Sequence, residues 1–126
     1  MGKWHTVVET SRFAAKAVKL LSEDERDDII DTLARDPLAG DVIPGTHGVR
    51  KYRHGIGHRG KSAGIRVIYY VYSKDWPLFL LQFYAKGEKA NLTRAERNAV
   101  GKLAQELKAS MRHLRQQRIR DEQEGR

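Results

Sequence analysis

Two runs of the chain are apolar in a way that suits a sheet. Ile65 to Tyr72 reads IRVIYYVY, and Leu78 to Ala85 reads LFLLQFYA. Both are rich in β-branched and aromatic residues, which pack well on a pleated surface. Only Ser73 to Pro77 separates them, so they are predicted to form an antiparallel hairpin. Val49 to His54 is predicted as a shorter third strand, with turns at Pro44-Gly45 and His47-Gly48 before it. Trp4 to Val8 is predicted as a short strand at the start.

Elsewhere the apolar spacing is helical. In SRFAAKAVKLL, Ser11 to Leu21, the residues Phe13, Ala17, Leu20 and Leu21 fall at helical intervals. Ser22-Glu-Asp-Glu25 reads as a capping box opening a second helix, with Ile29, Ile30 and Leu33 as its apolar stripe and Pro37 as its stop. Thr93-Arg-Ala-Glu96 is another capping box. It opens a helix carrying Val100, Leu103, Leu107, Met111 and Leu114. Beyond it RQQRIRDEQEGR is polar and is expected to fray. The predicted order is β-α-α-β-β-β-α. That describes an α+β domain: a small antiparallel sheet, an N-terminal helical hairpin and a C-terminal helix, with the helices on one face. The domain is expected to span 1–115 and the polar tail 116–126.

Composition narrows this picture. A chain of 126 residues suits one domain with one modest core. With 40% hydrophobic and 32% charged residues, it has the balance of a folded chain with a heavily charged surface. There is no cysteine. That removes disulfides, thiolate chemistry and cysteine-based zinc sites, and it fits a reducing cytosol. No apolar run approaches the ~20 residues that cross a bilayer. MGKWHTVVET lacks the apolar core of a secretory signal. A cytoplasmic location is expected.

Charge changes the picture most. The net charge is +8, which attracts polyanions, nucleic acid first among them. It is unevenly spread. The second helix region carries Glu23, Asp24, Glu25, Asp27, Asp28, Asp31 and Asp36 against Arg26 and Arg35. The stretch His47 to Arg66 carries Arg50, Lys51, Arg53, Arg59, Lys61 and Arg66 and no acid. The acidic segment reads as a solvated face and the cationic one as the working surface.

Within the cationic stretch, GIGHRGKS (Gly55 to Ser62) matches the phosphate-loop pattern G-x-x-x-x-G-K-[ST]. The physics of that loop needs a buried strand before it and a helix after it, whose N-terminal amides meet the phosphates. Here a polar RKYRH precedes it and a strand is predicted to follow, so the nucleotide reading is set aside. Alternation then sorts the side chains. Ile65, Val67, Tyr69 and Val71 share one face, and Arg66, Ile68, Tyr70 and Tyr72 the other. Phe79, Leu81, Phe83 and Ala85 are expected together, opposite Leu80, Gln82, Tyr84 and Lys86. Tyr52 points opposite to Lys51 and Arg53. Lys51, Arg53, Arg66, Tyr84 and Lys86 therefore converge on a face away from the helices, suited to a phosphodiester chain, with Tyr52 or Tyr84 as stacking partners. The bland reading is a solvated cationic face. His47, His54 and His58 have no metal-like spacing with carboxylates and read as loop or phosphate-contact residues.

The ordered set DPLAGDVIPGTHGVRKYR, GHRGKSAGIRVIYYVY and LLQFYAKGEKANLTRAE resembles the RelE/HigB-like toxins of bacterial type II toxin–antitoxin systems, in the RelE/ParE superfamily. The likeness runs from about Val7 to Leu107. It implies a growth-arresting, metal-independent endoribonuclease without cofactors, an mRNA interferase that cuts translated mRNA in the ribosomal A site. A cognate antitoxin and ribosomal RNA are the implied partners. It implies a catalytic set of Arg66, Lys51, Tyr84 and Lys86, with Arg50, Arg53, Arg59 and Lys61 contacting RNA. Gly87 stands where some relatives carry an arginine, and no tyrosine follows Tyr84, so the acid and base assignments stay open. The chemistry implied is attack of a ribose 2′-hydroxyl on the adjacent phosphate, with cations stabilising the transition state. Lys51, Lys61 and Lys86 are the candidate bases. The rival readings are a ParE-like gyrase inhibitor without nuclease activity and a non-catalytic nucleic-acid-binding module.

Overall fold

The structure, a computed structural model, describes residues 4–55, 64–85 and 87–125. Helix α1 (Ser11–Leu20) and helix α2 (Glu23–Arg35) form the expected hairpin. The Ser22 hydroxyl accepts from Glu25 N at 3.1 Å, and the Glu25 carboxylate accepts from Ser22 N at 2.8 Å. This reciprocal cap satisfies two donors that a helix start leaves unpaired. Glu23, Asp24 and Glu25 in the first turn also meet the positive end of the helix dipole. The helix ends before Pro37, whose ring disfavours helical geometry in the preceding residue. One detail of α1 differs from expectation. Phe13 and Ala17 are buried, but Leu20 points to solvent.

Strands β1 (Val7–Glu9), β2 (Asp41–Val42), β3 (Arg50–His54), β4 (Ile65–Val71) and β5 (Leu78–Ala85) make one sheet in the order β1-β5-β4-β3-β2. The expected hairpin, β4 with β5, is present, and β3 pairs antiparallel to β4. Two expectations are corrected. The sheet is mixed, because β1 runs parallel to β5. Parallel pairing joins segments distant in sequence, so no local turn signal announces it. The element order also gains β2, a two-residue edge strand on β3 that is too short to carry an alternation.

A further correction concerns the layers, since helices cover both faces of the sheet. On one face α1 and α2 bury Phe13, Ala17, Ile29 and Leu33 against Val67, Tyr69, Leu78, Leu80 and Phe83. On the other, helix α3 (Arg94–Gln123) sets Val100 and Ala104 against Ile68, Tyr70, Phe79, Leu81 and Tyr84. The reason lies in IRVIYYVY itself. Ile68 and Tyr70 make its second face apolar too, and a strand apolar on both sides must be covered on both sides.

The face assignment within β5 is corrected as well. Ile68 pairs with Gln82 and Tyr69 with Leu80, so Leu81 is an extra residue, a β-bulge. Past the bulge the parity reverses. Phe79 and Leu81 lie on the α3 face, whereas Phe83 lies with Leu80 on the hairpin face. Phe83 then meets the Phe13 ring edge-on at 5.2 Å.

Helix α3 starts at the predicted capping box, with Thr93 and Glu96 exchanging bonds of 3.1 and 2.8 Å. It does not fray at Arg115 but continues to Gln123, about 45 Å in all at ~1.5 Å per residue. Its far end gains from i,i+4 contacts, Gln117 with Asp121 at 3.2 Å and Arg118 with Glu122 at 3.9 Å. Among the described residues no helix is long and apolar enough to cross a membrane.

Candidate functional site

Strand register brings four of the expected site residues onto one face. Arg53, Arg66 and Tyr84 are direct cross-strand partners and form one row across β3, β4 and β5. Lys51, Ile68 and Gln82 form a neighbouring row. Directly paired residues in an antiparallel sheet share a face with Cβ atoms ~4.5–5.5 Å apart. Lys51, Arg53, Arg66 and Tyr84 therefore cluster on the α3 side of the sheet. Arg53 and Arg66 are like charges set opposite each other, an arrangement that costs stability unless an anion lies between them.

The row becomes more buried from β3 to β5. Arg53 is exposed, Arg66 half-buried and Tyr84 only 1% exposed. The Arg66 Nη1 and Tyr84 Oη atoms are both buried with no hydrogen-bond partner among the described residues. Buried polar groups without partners are uncommon and call for an explanation. Here the two are neighbouring donors, and one acceptor-rich group could serve both. Burial raises the Tyr84 pKa, the Arg66 charge opposes that less strongly, and Glu96 adds to the rise. Tyr84 is therefore a neutral phenol at pH 7, able to give a proton.

The segment leading into α3 frames the row from one side. Lys51 Nζ donates to Asn91 Oδ1 at 3.2 Å. Lys89 Nζ lies 5.2 Å from the centre of the Tyr84 ring and forms an ion pair with Glu96. Lys89 and the Thr93 amide hold the Glu96 carboxyl far below its ordinary range, at about 2. One carboxylate thus caps α3 and fixes a cation over the tyrosine. Beside the row lies a cleft of about 440 Å³ walled by Arg12, Lys16, Lys19, Tyr84, Glu88 and Lys89. Lys16 is tied there, donating to the Phe83 carbonyl at 2.9 Å and to Glu88 at 3.2 Å.

Three expected residues, Arg59, Lys61 and Lys86, lie outside the described residues, as does His58. Two others have work elsewhere. Arg50 sits on the opposite face, paired with Tyr69, and its guanidinium donates to the Gly40 carbonyl at 2.6 Å. Tyr69 Oη accepts from Gly40 N at 2.9 Å and donates to the Pro37 carbonyl at 2.8 Å. Together they clasp the turn after α2, so alternation separates Arg50 from the cluster that its neighbours Lys51 and Arg53 join or flank. His54 is buried against α2, 3.2 Å from Asp28 and 3.3 Å from the Tyr52 hydroxyl, and does not reach the row. Around the phosphate-loop match, a strand precedes and a strand follows, β3 and β4.

Sequence reading missed Lys89, Asn91 and the α1 cations Arg12, Lys16 and Lys19. The capping box hinted at Lys89, since it fixes Glu96 at the start of α3 and a lysine shortly before can reach it. Nothing local pointed to α1, whose approach to the end of β5 is a tertiary fact. Among the described residues no group of three or more histidine or carboxylate side chains could hold a metal ion. No protein-family model matches the chain.

Proposed function

We propose that this protein is the toxin of a type II toxin–antitoxin pair, an endoribonuclease of the RelE/HigB kind that cuts mRNA on translating ribosomes. The observation that carries the reading is the Arg53–Arg66–Tyr84 row, whose two buried donors, Arg66 Nη1 and Tyr84 Oη, find no acceptor among the described residues. A phosphodiester supplies that acceptor, and the +8 chain supplies the attraction.

In the proposed reaction a ribose 2′-oxygen attacks the adjacent phosphorus and the bond to the 5′-oxygen breaks. The products are a 2′,3′-cyclic phosphate and a free 5′-hydroxyl. Arg66 stabilises the added negative charge, since its fork matches phosphate oxygens and it stays protonated. The neutral Tyr84 phenol gives its proton to the departing 5′-oxygen, and Arg66 beside it favours the resulting phenolate. The 2′-hydroxyl proton passes to a general base, for which Lys51, Lys61 and Lys86 are the candidates. Lys89, held by Glu96, keeps the Tyr84 ring in place.

The test is growth arrest on induced expression. Arg66→Ala is expected to fold and to lose toxicity. The control is Asp24→Asn on the exposed face of α2, which should stay toxic. A folded Arg66→Ala protein that still arrests growth would remove Arg66 from the site. Growth arrest with intact message and inhibited gyrase would favour the ParE-like reading instead.

A further inference from the structure

The far end of α3 has a composition that the proposed active site does not explain. From Leu107 to Arg120 the helix carries Lys108, Arg112, Arg115, Arg118 and Arg120, with no acid among them. Every residue from Arg112 to Arg120 is exposed. Free-standing helices usually intersperse opposite charges three and four residues apart. Here Lys108, Arg112 and Arg115 fall at i, i+4 and i+7, on one side of the helix, and repel one another. Among the described residues neither Arg112 nor Arg115 has an ion-pair partner, and Arg118 has only the 3.9 Å contact with Glu122.

An aromatic surface stands beside this row. The turn between β4 and β5 sets Tyr72 against Trp76 in a tilted pair, with ring centres 4.3 Å apart and planes 38° from parallel. Lys108 Nζ lies 4.9 Å from the centre of the Tyr72 ring, which joins the helix to the turn. Tyr72 is 43% exposed. Trp76 lines a groove of about 530 Å³ together with Arg115 and Arg118, with Asp75 as its one acid. Flat rings next to a row of cations are what single-stranded nucleic acid uses: the rings stack bases and the cations follow the backbone.

We propose that the outer half of α3 and the β4–β5 turn form a second RNA-binding surface, separate from the Arg66 row. Arg66 lies near the start of β4 and Tyr72 just past its end, about 20 Å away at ~3.3 Å per residue. The two surfaces therefore contact different stretches of RNA. A membrane is the weaker fit. The large apolar residues exposed on this half of the helix are Leu114 and Ile119, too few for an apolar face buried in lipid. An acidic protein segment explains the charge but leaves the Tyr72–Trp76 ring pair without a role.

The experiment measures binding of a short, labelled 2′-O-methyl RNA, which cannot be cleaved, so the result stands whether or not the protein cuts message. Affinity is read between about 50 and 200 mM salt for the wild type, the triple variant Arg112→Gln/Arg115→Gln/Arg118→Gln, Trp76→Ala and Arg66→Ala. The triple variant is expected to lower the slope of log affinity against log salt by about 2, at ~0.7 per neutralised phosphate of a single strand. Trp76→Ala should weaken binding at every salt concentration and leave the slope alone. Arg66→Ala should lower the slope by less than 1 and leave most of the affinity. Circular dichroism confirms that each variant stays helical, and the triple variant decides the matter if Trp76→Ala fails to fold. An unchanged slope in a folded triple variant overturns the proposal. So does wild-type binding to phosphatidylserine vesicles or to a polyglutamate peptide without binding to RNA.

Discussion

Replacing Tyr84 by phenylalanine separates stability from function at one atom. The Tyr84 hydroxyl is buried and has no partner among the described residues. A buried, unsatisfied hydroxyl costs roughly 1–3 kcal/mol in lost hydration. Tyr84→Phe removes that cost while keeping the ring and its contacts with Leu81, Leu92 and Val100. The Lys89 ammonium 5.2 Å from the ring centre retains its aromatic face. A small loss of packing offsets part of the gain. The expected net effect is a stabilisation of about 1 kcal/mol, or some 3–5 °C in melting temperature for a domain of this size. Toxicity should fall in the same variant. A positioned proton donor is worth ~100–10,000-fold in rate, and among the described residues only Tyr84 brings a phenolic hydroxyl to this row. The assay pairs calorimetric melts of purified protein with growth after induction. A melting temperature lowered by more than about 4 °C would show that the hydroxyl is well bonded in the folded chain. A stabilised variant with full toxicity would leave Tyr84 in the core and take it out of the chemistry.

Other expectations test neighbouring parts of the account. Arg50→Gln should cost about 1.5 kcal/mol in urea denaturation, the low end for a charged hydrogen bond, because the Gly40 carbonyl loses its donor. Gly40→Ala should cost about 3 kcal/mol by the same measure, since a Cβ there meets the Lys51 carbonyl oxygen at 2.7 Å and the Tyr69 ring at 2.9 Å. Glu96 makes the acid limb of stability predictable. Its folded pKa of about 2 lies below the ordinary 4.5, so its contribution is present above 4.5 and is lost as pH falls toward 2. Urea midpoints between those limits should drop less steeply for Glu96→Gln than for the wild type, and parallel curves would take the Lys89–Glu96 pair out of the balance.

The parts of this molecule that can be read locally were legible. Both capping boxes formed, because Ser22 with Glu25 and Thr93 with Glu96 satisfy one another within a single turn. The hairpin of β4 and β5 formed because a short connection, Tyr72 to Pro77, joins two strongly β-prone runs. Alternation in β3 and β4 placed Lys51, Arg53 and Arg66 together, and it continued to Tyr84. That last agreement was fortunate, since the bulge at Leu81 reverses the parity of β5 midway. The expected placement of Tyr84 opposite Phe83 holds, because both residues lie beyond the bulge and alternate normally. The same reading had set Tyr84 with Leu80, and the bulge moved Leu80 to the other face. What could not be read locally was long-range. The parallel pairing of β1, the second layer made by α3, and the approach of Lys16 to the end of β5 each depend on how distant segments meet. Apolar residues at both parities of IRVIYYVY already demanded cover on two faces, and that signal was available.

The central claim is tested most directly by mapping the 5′ ends of messenger RNA after brief induction of the wild type and of Arg66→Ala. The account predicts new ends bearing 5′-hydroxyls, confined to translated regions and set at a fixed position within codons, and their absence in the Arg66→Ala strain. Growth arrest by the wild type with no new ends, or with ends scattered equally through untranslated RNA, would contradict it.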